Sequence, residues 1–344
     1  MQGIIDDKQS VYERFMIPLY PAIEPYAEHY IEMEALSNGS HHQIYVEESG
    51  NPDGIPVLFL HGGPGSGCRP SHRCYFDPEL YRIILFDQRG CGHSKPHGEL
   101  ENNTIDYLIT DIETIRQTLN IDNCLLFGGS WGATLALAYA QQYPQNVLAM
   151  ILRGVFLGRQ QDIDWVYAEG GASKLFPDAW QKLVENLPKE DQQRPLKAYQ
   201  KLISSSDELH RMNAAKTLQT WESTIVTLRD HEYSVDENKD PGPLAHALIQ
   251  LHFALNECFI ADNPLLNNIE AIRNIPTILI HGRYDIVCPI QQTWELHQVW
   301  PEAELNIVSL AGHAAGEPAL IHALITATRS MAEQLDPHHN KPSA

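Results

Sequence analysis

Short apolar runs of strand length, each followed by turn residues, recur along the chain and leave few folds open. They are Val57 to Leu60, Ile83 to Phe86, Leu125 to Phe127 and Val147 to Leu152, then Ile278 to Ile280 and Leu305 to Val308 near the end. Continuous runs of Val, Ile and Leu suit strands buried on both faces, as in a parallel sheet. Gln43 to Glu48 alternates instead and is expected to form an antiparallel edge hairpin with Ile31 to Leu36. Helical patterns lie between the runs. After Asn103-Thr104, a candidate cap, Ile105, Leu108, Ile109, Ile112 and Leu119 share one face. Another helix is expected from Trp131 to Tyr143, stopped by Pro144, and a last one near Pro318 to Gln334. Alternating strands and helices predict an α/β protein with a mostly parallel, doubly wound sheet.

From about Gly158 to Asn268 strand-like runs disappear and amphipathic helical segments take over. The expected division is a core in two parts, residues 1–157 and 269–344, with a helical cap at 158–268 inserted between the sixth and seventh strands. Such an insertion covers the C-terminal edge of the sheet, where ligands of α/β proteins bind. A length of 344 residues accommodates one large α/β unit with an insertion. The polar tail after Pro337 is expected to fray.

With 24 basic and 44 acidic side chains, the formal charge is −20. That balance argues against nucleic acid and against anionic membrane surfaces as partners, since both require concentrated Lys and Arg. The six cysteines, Cys68, Cys74, Cys91, Cys124, Cys258 and Cys288, form no CxxC pair and suggest neither zinc nor a disulfide framework. None of the 17 histidines has HExxH spacing. His246 and His252 share a segment with Glu257, but six residues is a poor interval for two ligands on one helix face. No metal is expected. Met1 to Lys8 is acidic and unlike a signal peptide, and no apolar run approaches the roughly 20 residues needed to span a bilayer. The expectation is a cytoplasmic protein with reduced thiols; its oligomeric state is left open.

The sharpest chemical signal is Gly128-Gly129-Ser130-Trp131-Gly132, between a strand and a helix of small residues. G-x-S-x-G in that context is a nucleophile elbow, with the serine on a strained turn beside a helix N-terminus. A serine hydroxyl needs a base oriented by a carboxylate. In α/β-hydrolase order, Asp285 after the Ile278 to Ile280 strand and His313 after the Leu305 to Val308 strand fill those roles. Acyl transfer also needs donors for the oxyanion. The backbone N–H groups of Gly63, in His61-Gly62-Gly63-Pro64-Gly65, and of Trp131, next to the nucleophile, are the candidates. Asp87-Gln88-Arg89-Gly90 is expected to brace the site, with Arg89 in an ion pair.

HGGPGSG at 61–67, DQRGCGHS at 87–94, GGSWG at 128–132, GRYDIVCP at 282–289 and GHAAGEP at 312–318 together resemble the proline iminopeptidase family. The similarity extends over roughly residues 19 to 328. It implies an α/β-hydrolase fold with a helical cap, release of N-terminal proline from peptides, no metal or cofactor, and a cytoplasmic location. It also implies that cap carboxylates hold the substrate's free amino terminus. The matching positions are Glu222, in Thr220-Trp221-Glu222, and Glu257, in Leu255-Asn256-Glu257. Phe156 matches a family position against the pyrrolidine ring. Two departures bear on that ring pocket: Val166 stands where an aromatic is common, and Phe259-Ile260-Ala261 replaces an aromatic-rich stretch. From the residues alone, a broad esterase or amidase, or an inactive binding module on the same fold, stays open.

Overall fold

The computed structural model describes residues 16–227, 242–260 and 264–335. Met1 to Lys8, Ala261 and the tail after Pro337 lie outside the described residues. Among the described residues eight strands form one sheet: β1 (Ala27–Ala35), β2 (His41–Gly50), β3 (Ile55–Leu60), β4 (Tyr81–Phe86), β5 (Cys124–Gly129), β6 (Val147–Arg153), β7 (Thr277–Gly282) and β8 (Glu304–Val308). Their spatial order is β1-β2-β4-β3-β5-β6-β7-β8. β1 and β2 form the antiparallel edge hairpin, with Ile31 opposite Ile44, and β2 also runs antiparallel to β4. All other neighbours are parallel.

Side-chain alternation explains the continuous apolar runs. Val57 and Phe59 of β3 join one core, while Leu58 and Leu60 join the other. In β4, Ile83 and Leu85 separate from Ile84 and Phe86 in the same way. Both faces are buried, so both sets must be apolar. Helices α1 (Ile105–Thr118) and α2 (Trp131–Gln142) cover one face. Six cap helices follow: α3 (Gln160–Tyr167), α4 (Pro177–Val184), α5 (Leu196–Ile203), α6 (Glu208–Val226), α7 (Gly242–Leu255) and α8 (Pro264–Asn267). After α9 (Gln291–Val299), the last helix α10 (Pro318–Leu335) covers the second face. Tyr81 Oη fastens it there by donating to the Thr328 carbonyl at 2.6 Å. Thr104 occupies the N-cap position of α1, but its side chain makes no capping bond. The Asn103 amide does not cap either, because it donates to the carbonyls of Arg89 and Glu99 at 3.2 and 3.0 Å.

Among the described residues, every regular element between β6 and β7 is helical. Trp180 meets Trp221 edge-on at 5.3 Å in the cap core, and Trp221 Nε1 donates to the Val166 carbonyl at 3.1 Å. The cap is tied to the sheet layer by Trp165 Nε1, which donates to the Ile286 carbonyl at 2.7 Å, and by an Arg159–Glu295 ion pair. Strand order reverses at β3, which has β4 on one side and β5 on the other. A crevice opens at such a switch point beyond the carboxyl ends of the strands. The loops after β3 and β5, carrying His61 to Gly65 and Ser130, meet there.

Candidate active site

Ser130 has φ 58° and ψ −124°, a left-handed backbone that is costly for a residue with a side chain. The flanking glycines show why the turn fits. A Cβ on Gly128 would lie 2.3 Å from the Gly132 carbonyl oxygen, and one on Gly132 would lie 1.9 Å from that of Leu60. β3 and α2 therefore touch backbone to backbone. The glycine-rich loop also comes close, since a Cβ on Gly62 would sit 3.5 Å from Ser130 Cβ. Among the described residues, the N–H groups of Gly63 and Trp131 have no protein acceptor. Gln88 braces the two loops. Its N–H donates to His61 Nε2 at 3.0 Å, its amide to the His61 carbonyl at 2.9 Å, and its Oε1 accepts from Trp131 Nε1 at 2.9 Å. Arg89 is buried in ion pairs with Asp111 and Glu34, as expected.

Asp285 accepts from His313 Nδ1 at 2.7 Å and from the Cys288 N–H at 2.8 Å. Burial opposes its charge, but His313, His281 and the Cys288 N–H outweigh burial and hold the carboxyl below its ordinary range. Gly154, at φ 54°, makes room for the pair, because a Cβ there would stand 3.1 Å from Asp285 Oδ2. With the Nδ1 hydrogen given to Asp285, neutral His313 presents a lone pair at Nε2, the tautomer a general base needs. That lone pair faces Arg153, whose Nη1 lies 3.3 Å away and also donates to the His313 carbonyl at 2.8 Å. The Ser130 hydroxyl has Cys288 Sγ, 3.9 Å away, as its polar contact. The structure thus joins Asp285 to His313 and places His313 and Ser130 in one cavity of about 490 Å³, without a hydrogen bond between them. In the sequence Arg153 only interrupts an apolar run; register brings it to the site, opposite Gly129 across β5 and β6.

The cap supplies the roof. Glu222 on α6 faces the cavity and accepts from Tyr167 Oη at 2.7 Å, while Gln250 Nε2 donates to that hydroxyl at 2.7 Å. Burial pushes the Glu222 carboxyl up to about 7, against the hydrogen bonds from Tyr167 and Gln250. His246 Nε2 lies 3.9 Å from Glu222, but burial lowers its pKa to about 4, so it is neutral at pH 7. Phe156 and Val166 line the same cavity.

Glu257 does not. Residues 257, 258 and 259 have φ of 49°, 54° and 56°, and this left-handed turn leaves the Glu257 side chain exposed and puts Cys258 at the cavity. The expectation that Glu257 holds the substrate amine is therefore corrected. Phe259 packs on Phe253 and His252, with centroids 5.4 and 5.0 Å away, and with Ile260 lines a separate hollow. Tyr167, His246 and Gln250 were hidden because α3, α6 and α7 come together only in the folded cap. Their one sequence signal is a four-residue spacing: His246, Gln250, Ala254 and Cys258 all line the cavity. Among the described residues, no group of three or more His, Cys, Asp or Glu side chains is placed to hold a metal ion.

Comparison with known proteins agrees with this geometry. Residues 55–319 match the family model for the alpha/beta hydrolase fold. Solved structures share the fold at low identity. They include an alpha/beta fold family hydrolase from Bacillus anthracis (TM-score 0.58, 16% identity, 88% of this chain and 99% of that one). An esterase from Exiguobacterium antarcticum gives a TM-score of 0.53 at 21% identity, over 87% of this chain and 98% of its own. Much closer in sequence is the proline iminopeptidase of Arabidopsis thaliana, 46% identical over 91% of this chain and 82% of its own. That of Xylella fastidiosa is 45% identical over 92% and 99%, and that of Neisseria gonorrhoeae 43% over 92% and 100%. The chain belongs to the proline iminopeptidase family, on the α/β-hydrolase fold.

Proposed function

We propose that the protein is a prolyl aminopeptidase, a serine exopeptidase that releases proline from the free N-terminus of peptides. The observation that carries this reading is Glu222, a partly buried carboxylate facing the same cavity as Ser130 and His313. A peptide that begins in this cavity brings a protonated imino group, and such a cation away from bulk water needs a charge partner. The pyrrolidine ring lies against Phe156, with Val166 beside it, in the apolar part of the cavity. Val166 leaves that wall less aromatic, and Tyr167 next to it restores a ring.

In the reaction His313 Nε2 takes the Ser130 proton as Oγ attacks the prolyl carbonyl carbon, and Asp285 stabilises the imidazolium. The N–H groups of Gly63 and Trp131 hold the oxyanion. His313 then protonates the leaving amine; the C–N bond breaks, leaving a prolyl ester on Ser130. Water, deprotonated by His313, attacks that ester; its C–O bond to Ser130 breaks, His313 returns the proton to Oγ, and proline leaves. Arg153 must cede Nε2 for the first step, a rearrangement of the kind that brings catalytic hydrogen bonds to length once substrate is bound.

The test is a panel of prolyl, alanyl and N-blocked prolyl anilides with a simple ester, on wild type and Ser130→Ala. The expected result is preference for the free prolyl substrate, with kcat lowered by several orders of magnitude in a folded Ser130→Ala protein. Equal turnover of all substrates would instead make the protein a broad esterase or amidase. Binding without turnover would make it a binding module. A reducing, cytoplasmic setting is part of the proposal and suits six cysteines that are all free thiols.

A further inference from the structure

Arg153 is used above only as a group that must move, yet its position gives it more to do. The cavity is lined from both cores. Val166, Tyr167 and Glu222 come from the cap, and Val166 and Tyr167 belong to the core that the cap shares with α2. Phe59, Tyr75, Phe127 and Leu324 belong to the core under α10. If proline and its imino cation lie by Glu222, the leaving amine must come to His313 and so to Arg153 beside it.

Apart from Glu222, the charged side chains lining the cavity are arginines. Arg69 and Arg153 line the cavity, and Glu222, on the cap side, is the one carboxylate among its lining residues. Among the described residues, neither guanidinium has a carboxylate partner. Both act on His72, which stacks on Phe59 at 4.4 Å. Burial, then Arg69 and more weakly Arg153, lower its pKa to about 3. His72 is therefore neutral and adds no charge of its own. In a chain of formal charge −20, a cationic recess beside the nucleophile is a built exception.

We infer that Arg153, with Arg69 adding positive charge to the same cavity, receives the α-carboxylate of a short leaving group, so that the preferred substrates are prolyl dipeptides and tripeptides with a free C-terminus. This rests on the prolyl aminopeptidase reading. The geometry is direct for a dipeptide. His313 Nε2 must reach the leaving nitrogen, and Arg153 Nη1 stands 3.3 Å from Nε2. The carboxylate carbon of a single leaving residue is two bonds, about 2.5 Å, from that same nitrogen. The guanidinium matches a carboxylate in a two-point contact. Turning toward it releases the Nε2 lone pair to Ser130, so the correct leaving group also frees the base.

The experiment compares kcat/KM for prolylglycine and prolylglycinamide, with prolyl anilide as control, in wild type, Arg153→Gln, Arg153→Lys and Arg69→Gln. Wild type should favour the free acid by about tenfold to a hundredfold, the range of one charge-assisted contact. Arg153→Gln should bring that ratio close to one, Arg153→Lys should keep part of it, and Arg69→Gln, an exposed change, should lower it severalfold. Loss of a purely structural arginine would depress both substrates together and leave the ratio alone. A wild-type ratio near one with good anilide turnover overturns this inference and spares the prolyl aminopeptidase reading; so does an undiminished ratio in Arg153→Gln. A protein that cleaves no prolyl substrate overturns both.

Discussion

At the scale of the residue, Glu222 carries two opposed demands. Its carboxyl titrates near 7 in the fold, against an ordinary 4.5, because burial penalises the anion. The folded state holds the proton more tightly, so Glu222's contribution to stability is fully present below about pH 4.5 and is lost as pH rises through 7. Glu222→Gln keeps a hydrogen-bonding group of the same size and should stabilise the protein at pH 8 by up to about 3 kcal/mol, with little change at pH 5. Paired thermal melts at the two pH values check this. The same variant should lose a factor of roughly 30 to several thousand in kcat/KM for prolyl anilide, since breaking one side of a buried charge pair costs about 2–5 kcal/mol. A neutral ester should be spared. In wild type the anilide-to-ester ratio should fall as pH drops below about 7, where Glu222 takes up its proton. Glu257→Gln, on the exposed turn, should leave the ratio unchanged.

At the scale of the element, the elbow is a contact between β3, β5 and α2 that tolerates no side chain at Gly132. Gly132→Ala would place a Cβ 1.9 Å from the Leu60 carbonyl oxygen. Neither partner is a flexible tip, so the cost should reach the upper part of the overpacking range, about 3 kcal/mol. The shifted β3 should also carry Gly63 out of line and lower kcat. Urea unfolding and turnover on one preparation would show both effects; a Gly132→Ala protein of wild-type stability would contradict the backbone contact. Such elements were largely legible in the sequence because their constraints are local. Continuous Val, Ile and Leu runs marked β3 to β8, and Gly128-x-Ser130-x-Gly132 marked the elbow. The ends were less legible, since Gly129 and Arg153 join their strands only by pairing with each other. Arg153 and Tyr167 carried no signal of their own and Gln250 only a four-residue spacing, because their meaning comes from neighbours distant in sequence. Glu257 was misplaced because three left-handed residues in succession turn the chain in a way that no pattern of residue types announced.

At the scale of the whole molecule, the cap and the sheet share one substrate. Proline held between Glu222 on α6, Tyr167 on α3 and Ser130 on the core would add a tie to layers that already share one core and bonds such as Trp165 to the Ile286 carbonyl. A prolyl aldehyde that bonds Ser130 should therefore slow amide hydrogen exchange in α3, α6 and α7 more than in β3 to β7, whose buried amides are expected to exchange slowest without it. Equal protection of cap and sheet would show that the cap does not hold the ring. The order of the sheet has one more consequence. The working groups sit at the ends of successive neighbours: Ser130 after β5, Arg153 on β6, Asp285 after β7 and His313 after β8. The chain acquires its nucleophile first and its base only after more than 180 further residues have been added. A growing chain on the ribosome thus carries an inert serine, and peptidase activity switches on only when β8 docks.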